Sequence, residues 1–202
     1  MADVGKRWYV ERFPALAGNK TSNFIVMNLL KERKAIDEAL DSYRGQLDNI
    51  PDELFTVTPK GNGWSFAEVY SHILQATLGS AIALDRCVNN NCKPTNNKLT
   101  FLGRLMMFTG RFPPVKVKVP KAVDAKIPAL KIDKEEAKNL LVKCRKRIDE
   151  LTPLVNDALP SAKHKHARLG ALDAKQWLKF IRIHLQHHLK QLDRIRKKFN
   201  IT

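Results

Sequence analysis

The chain has 202 residues, enough for one domain of ordinary size that buries most of its apolar surface without disulfide staples. Hydrophobic residues make up 44% and charged residues 28% of it, a composition that excludes intrinsically disordered and low-complexity proteins. Its unusual property is charge, because 36 Lys and Arg against 20 Asp and Glu give a net charge of +16 and suggest an anionic partner.

The positive charge is regional. Residues 1–101 carry 12 basic and 11 acidic side chains, whereas residues 102–202 carry 24 and 9. The excess comes from 102–131 and 160–202. No helix-turn-helix, zinc-finger or aromatic stacking signature accompanies it, so we do not expect nucleic acid as the main partner. A charge-driven, sequence-nonspecific nucleic-acid association stays open as an alternative.

Three cysteines, Cys87, Cys92 and Cys144, form an odd set without CxxC spacing. This pattern favours free thiols in a reducing compartment over a disulfide framework or a sulfur-ligated metal. No apolar run reaches the roughly 18–20 residues that a membrane span requires, and no signal peptide is visible. We therefore expect a cytoplasmic protein without a membrane partner.

Four segments show helical spacing of apolar residues. They cover about 21–47, 65–88, 133–158 and 173–199, and Pro153 is expected to kink the third segment or end it early. Four long helices in a chain of this size predict an all-α, antiparallel four-helix bundle.

Two helix starts carry capping boxes. Ser65 precedes Glu68 by three residues, and Asp173 precedes Gln176 by the same interval. The spacing makes Glu68 a helix cap more readily than a general base. Trp64, just before the second helix, is expected to close one end of the bundle.

The segments between the helices are irregular. Residues 92–131 form a long insert between the second and third helices, with a short apolar helix near 99–108 and an extended, proline-containing loop over 113–128. Strand-like alternation occurs only at 115–119, and 160–170 is expected to be a basic linker. The apolar side chains of the short helix have three possible roles: they pack on the core, form a lid over a site, or form a surface that binds a partner.

These segments define two predicted units. Residues 1–20 form an N-terminal arm, and residues 21–200 form a single bundle domain that contains the insert.

Histidines on the predicted helices suggest a metal site. His184 and His188 stand one turn apart on the fourth helix, a spacing that lets two imidazoles reach one ion. His72 lies on the second helix beside the small residues Ala76 and Gly79, which favour close packing or a cavity. If these two helices are neighbours, His72 supplies a third ligand and leaves open coordination positions, as in catalytic sites. Imidazole ligands suit Zn, Ni, Cu or Fe.

Other polar residues around these histidines have two interpretations. His187 is more typical of a rim position than of a ligand. Gln191 either bonds a ligand histidine from outside the coordination sphere or is an ordinary polar surface residue. Arg182 and Lys190 either steer an anionic substrate or are simply solvated.

Two stretches carry a family resemblance. The sequence from Trp64 to His72, an aromatic, a capping residue and an apolar run into a histidine, resembles the second-helix signature of the DinB/YfiT-like metalloenzymes. The sequence from His184 to Gln191, H-x-x-H-H-x-x-Q, is similar to their fourth-helix signature. The resemblance spans about 22–199.

The resemblance implies a bundle that holds a divalent metal, such as Zn, Ni or Fe, through His72, His184 and His188. Gln191, His187 and Glu68 are then candidates for supporting or substrate-contacting roles. Relatives include enzymes that use a low-molecular-weight thiol, which suggests a thiol-dependent transferase or a hydrolase-like enzyme acting on a small, anionic molecule. A non-catalytic homodimeric bundle is the remaining alternative.

Overall fold

The structure, a computed structural model, describes residues 20–201 apart from 62, 93–94, 96 and 115–128, with side chains from residue 28 onward. Nearly all of the predicted N-terminal arm and the strand-like alternation at 115–119 lie outside the described residues. The arm and domain bounds stay predictions.

Six α-helices occur in this described part of the chain. They are α1 (Lys20–Asn49), α2 (Asp52–Phe55), α3 (Phe66–Val88), α4 (Phe101–Thr109), α5 (Lys134–Leu151) and α6 (Ala174–Lys198). The four long helices α1, α3, α5 and α6 are the four predicted ones, and the four-helix bundle is confirmed. The short apolar helix predicted in the insert is α4, whereas the single turn of α2 was not expected.

The helix boundaries follow from the residues that cap them. The Ser65 hydroxyl accepts a hydrogen bond from the Glu68 amide, and a Glu68 carboxylate oxygen accepts one from the Ser65 amide at 2.8 Å, which confirms the capping box of α3. Asp173 and Gln176 form the equivalent pair at α6. Helix α5 ends at Leu151, earlier than 158, because Pro153 lacks the amide hydrogen that an α-helix requires, and a 3₁₀ turn follows.

The four long helices form a ring in which α3 packs against α5 and α6, and α1 packs against the same two. Two buried tyrosines tie this ring together across the core. The Tyr70 hydroxyl of α3 donates to the Tyr43 carbonyl of α1 at 2.7 Å, and the Tyr43 hydroxyl donates to the Leu185 carbonyl of α6 at 2.8 Å. Burial raises the pKa of both phenols, so each remains a neutral donor.

The prediction of a basic linker without secondary structure over 160–170 is wrong in part. Strands β1 (His164–His166) and β2 (Gly170–Leu172) pair antiparallel there, and Gly170 also bridges to Leu99 at the start of the insert. Strands of three residues are too short to show alternation in a sequence. Gly170 has φ of +91°, a conformation that favours glycine and closes this turn.

None of the helices in the described part of the chain combines the length and the apolar composition that a membrane crossing requires.

Candidate metal centre

The three histidines singled out in the sequence lie together in the structure. His72 comes from α3, and His184 and His188 come from α6, the helix that packs most extensively against α3. One ring nitrogen from each lies within 4.8 Å of the other two. The bundle therefore brings together two neighbouring residues of one helix and a third that is distant in sequence.

The spacing of the nitrogens fits a shared ion. The Nε2 atoms of His184 and His188 are 3.1 Å apart. Two nitrogen ligands of one metal, each about 2.0–2.2 Å from it, lie about 2.8–3.6 Å apart at octahedral or tetrahedral angles. His72 faces both, with ring centroids 5.6 Å from His184 and 4.9 Å from His188. The three imidazoles could hold one divalent metal.

Gln191 orients His188 for this role. Its side-chain oxygen lies 2.8 Å from Nδ1 of His188, one turn away on α6. An amide oxygen only accepts hydrogen bonds, so this contact assigns the ring proton to Nδ1 and leaves a lone pair on Nε2, the atom that faces His184. Such outer contacts hold metal-binding histidines in place in many proteins.

Burial keeps His184 and His188 neutral. Desolvation, followed by the neighbouring histidines, lowers the pKa of His188 to about 3 and holds the pKa of His184 well below its ordinary value. Nδ1 of His184 is buried and has no hydrogen-bond partner among the described residues. A neutral imidazole is the form that binds a metal, so burial prepares both rings as ligands.

Three aromatic side chains surround the cluster. The Trp64 ring is 4.9 Å from His72 and lies parallel to His188 at 6.4 Å, so it lines the site. Phe180 stacks on His184 at 5.3 Å. Phe112, from the insert, lies 5.8 Å from His184.

Sequence reasoning missed two of these aromatic residues. Phe180 precedes His184 by one helical turn, so the spacing alone could have indicated it. Phe112 lies in an irregular segment whose path no periodicity determines.

His187 sits at the edge of the cluster. Its ring packs 4.4 Å from Phe112 and edge-on to His188 at 5.1 Å. Burial, then the charges of Arg194 and Lys190, lowers its pKa. His187 is outside the set of three histidines, and two cations lie close enough to influence it.

Several neighbouring residues have structural tasks. Glu68 caps α3, where its carboxylate accepts hydrogen bonds from both the amide and the hydroxyl of Ser65.

Arg182 donates hydrogen bonds to Glu32, Gln186 and the Gly110 carbonyl, so its guanidinium connects elements of the fold and is not simply solvated. Gly79 is exposed, and a side chain there would meet open space, so it does not serve the close packing expected beside His72.

The cysteines are free and engaged elsewhere in the bundle. Cys87 donates to the Leu172 carbonyl and lies 3.7 Å from Cys92, and Cys144 donates to the Leu74 carbonyl. Desolvation raises the pKa of Cys87 and of Cys144 to about 12, which keeps both protonated.

A four-helix bundle with a three-histidine cluster between two neighbouring helices is the class of protein that the fold and site define. The profile of the DinB superfamily matches residues 35–192, well over half of the chain. The chain belongs to the DinB superfamily. No curated protein matches it.

Two solved structures share the fold. One is TT2238, described as a four-helix bundle protein, with 18% identity and a TM-score of 0.52 over 82% of this chain and 98% of that one. The other is YfiT from Bacillus subtilis, described as a probable metal-dependent hydrolase with an unusual four-helix bundle topology. It has 13% identity and a TM-score of 0.57, and the match covers 94% of each chain. At these identities the likeness shows the fold alone.

Proposed function

We propose that this protein is a divalent-metal-dependent enzyme acting on a small molecule, with His72, His184 and His188 as the metal ligands. The observation that carries the proposal is the convergence of three imidazole nitrogens within 4.8 Å. The contact from Gln191 to His188 and the burial of His188 support it. Three imidazole ligands suit Zn, Ni or Fe.

The chain's residues prepare the site for one kind of chemistry. A divalent metal held by His72, His184 and His188 would lower the pKa of water or of a thiol and would withdraw electrons from a carbonyl or phosphoryl group of the substrate. Gln191 keeps His188 in the right tautomer, and Trp64, Phe112 and Phe180 restrict water around the histidines. Lys190 and Arg194, close to His187, favour a substrate with an anionic group at the rim.

The attacking nucleophile comes from solution in this proposal. Cys87 and Cys144 remain protonated and bonded to backbone carbonyls, so neither serves as a thiolate at the cluster. Water would make the protein a hydrolase, in keeping with the description of YfiT. A low-molecular-weight thiol would make it a transferase, as the sequence resemblance implies.

Metal analysis tests the ligand set. Purified wild-type protein should contain close to one equivalent of divalent metal, and a variant with His72, His184 and His188 all changed to Ala should contain almost none. His164→Ala is the matched control because His164 lies on β1, outside the cluster. Equal metal content in the triple variant and the wild type would refute the assignment.

Removal of the metal should also lower stability. A ligand present at about a hundred times its dissociation constant stabilises a protein by about 2.7 kcal/mol, so chelation should lower the melting temperature by several degrees. The melting temperature of the triple variant should not respond to chelator. A wild-type protein that melts identically with and without chelator would contradict a bound metal.

Turnover assays separate the two nucleophiles. The metal-loaded protein should be supplied with activated esters and amides alone, and then with an alkylating electrophile and a low-molecular-weight thiol. Product formation without thiol supports a hydrolase, whereas strict dependence on thiol supports a transferase. Absence of both reactions, with the metal bound, would favour the non-catalytic alternative.

The basic surface calls for a separate test of the nucleic-acid alternative. Binding that rests on phosphate contacts weakens steeply between about 50 and 200 mM salt. We expect only weak, salt-sensitive binding to duplex DNA, measured by fluorescence anisotropy. Tight binding at about 50 mM salt that weakens steeply by about 200 mM would favour the alternative over a small-molecule enzyme.

A further inference from the structure

The insert is fastened to the bundle where it begins. Leu99 bridges to Gly170 of β2. The Thr100 amide then donates to the Leu169 carbonyl at 2.9 Å, and the Thr100 hydroxyl donates to the Arg168 carbonyl at 2.9 Å. The same hydroxyl caps α4 by accepting from the Gly103 amide. The start of α4 is therefore set by the loop between β1 and β2.

Two glycines fix the path of α4 beyond that point. A Cβ on Gly103 would stand 2.3 Å from the Leu169 oxygen, so the helix lies directly against that backbone. Gly110 ends α4 with φ of +67°, and its carbonyl accepts from Arg182 at 3.2 Å. Because Glu32 holds Arg182 in turn, the turn after α4 has little freedom.

Phe112 follows this turn and is placed by it. Its partly buried ring packs 4.4 Å from His187 and 5.8 Å from His184. Trp64 contacts the other two faces of the cluster, through His72 and His188. Each proposed metal ligand is thus in contact with an aromatic ring. Of the two rings beside His184, Phe112 comes from a segment of the insert without helical or strand structure.

We propose that Phe112 is a specificity-determining residue that selects substrates with a flat apolar group next to the reacting bond, over compact polar ones. This inference rests on the metal-dependent function proposed above. An aromatic ring held at a site favours flat apolar groups through stacking and through the burial of apolar surface, while it leaves a small polar group without compensation for lost water. Because backbone contacts at Leu99, Gly103 and Gly110 fix the position of Phe112, the fold itself would determine this preference.

The test compares two metal-binding probes that differ only in the group beside the chelating atoms. Benzohydroxamate carries a phenyl ring and acetohydroxamate a methyl group. Dissociation constants for both are measured on cobalt-loaded wild-type protein by the change in visible absorption and by calorimetry. We expect benzohydroxamate to bind about tenfold more tightly, since an aromatic contact with partial burial is of that size.

Variants locate the source of the preference. Phe112→Ala should reduce the ratio of the two constants to near one, chiefly by weakening the binding of benzohydroxamate. Phe108→Ala is the matched control, because Phe108 belongs to the same insert, is 91% exposed and should keep the wild-type ratio. Phe112→Leu, which preserves apolar volume without the flat ring, should reduce the ratio in part and serves if the alanine variant does not fold.

Two outcomes would overturn the inference: a wild-type ratio near one, or a ratio that survives both changes at Phe112. A failure of the wild type to bind cobalt at all would instead contradict the proposed function. The cobalt content measured before each titration therefore tells the two failures apart.

Discussion

Nδ1 of His188 and the side-chain oxygen of Gln191 lie 2.8 Å apart on the same turn of α6, and that contact decides which ring nitrogen is free to bind a metal. Loss of the acceptor would let the ring rotate and exchange tautomers. It would also remove a contact that makes the ring a stronger donor to a cation.

Gln191→Ala should therefore weaken metal affinity by about 10- to 100-fold with little change in the fold. Competition with a fluorescent chelator measures the affinity. Gln46→Ala is the control, because Gln46 of α1 donates a hydrogen bond to Asp193 of α6 and does not contact the histidines through it. An unchanged metal affinity in the Gln191 variant would remove it from the site.

His166 is a second histidine whose neutral form the fold requires. Its Nδ1 accepts from the amides of Arg168 and Leu169 at 3.1 and 3.2 Å, and these contacts close the turn between β1 and β2. Desolvation, assisted by the charge of Arg168, lowers its pKa to about 4. The unfolded chain therefore takes up a proton below about pH 6.5, whereas the folded chain resists until about pH 4.

The stability that neutral His166 confers should be complete above pH 6.5 and decline as the pH falls towards 4. Between pH 7.5 and 4.5 the free energy of unfolding of the wild type should fall by about 2 kcal/mol more than that of His166→Gln. The variant should be less stable at pH 7.5, but its stability should depend less on pH. Urea unfolding of chelator-treated protein measures this, with Lys165→Gln as the control. Parallel pH profiles for the wild type and the His166 variant would contradict the assignment.

At the scale of elements, α4 depends on the absence of a side chain at Gly103. A Cβ added at this position would stand 2.3 Å from the Leu169 oxygen and 3.1 Å from the carbonyl carbon. Both atoms belong to the backbone, which cannot move away without opening the turn between the two strands.

Gly103→Ala should lower the free energy of unfolding by about 1–3 kcal/mol, the usual cost of overpacking. It should also shift Phe112 and reduce the hydroxamate preference. Gly45→Ala is the matched control, since Gly45 lies in the interior of α1 with nothing within 4 Å, and it should gain up to about 1 kcal/mol. Urea denaturation compares the two, and equal stabilities would show that α4 is not held as described.

The elements that sequence reasoning located well are those with local chemical signals. Ser65 and Asp173 each accept an amide hydrogen bond at the start of a helix, and a three-residue spacing is enough to find them. His184 and His188 were paired by helical geometry alone. The pairing of α3 with α6, which adds His72, depends on packing over the whole bundle and came from the family resemblance.

The parts that could not be predicted depend on contacts far apart in sequence. The position of Phe112 follows from the anchors at Leu99, Gly103 and Gly110, whose partners lie 66–72 residues later in the chain. The strands β1 and β2 are too short to leave a pattern. Local propensity carries no information about such pairings.

At the scale of the whole molecule, the outer face of α4 is the most exposed apolar feature of the described insert. Phe101, Leu105 and Phe108 share one face and are 75%, 37% and 91% exposed. Met106, grouped with them in the sequence, is instead fully buried. Contiguous apolar surface of this kind marks interaction sites, and a second copy of the chain in two-fold symmetry is the commonest partner.

We expect the wild type to self-associate through this face as its concentration rises. Changing Phe101, Leu105 and Phe108 to Ser should shift the equilibrium towards monomer in sedimentation velocity, with no loss of metal. Val142→Ser, at an exposed position of α5, is the control. The same sedimentation profile for the triple variant and the wild type would exclude this surface as the interface.

The three histidines come together at different times during folding. His184 and His188 are ready as soon as one turn of α6 forms, but His72 is separated from them by about 110 residues and arrives only when α3 and α6 dock. A nascent or partly unfolded chain offers an ion at most the weak pair on α6. Retention of the proposed metal would therefore require the completed bundle, so the metal content of the protein would report on its folding.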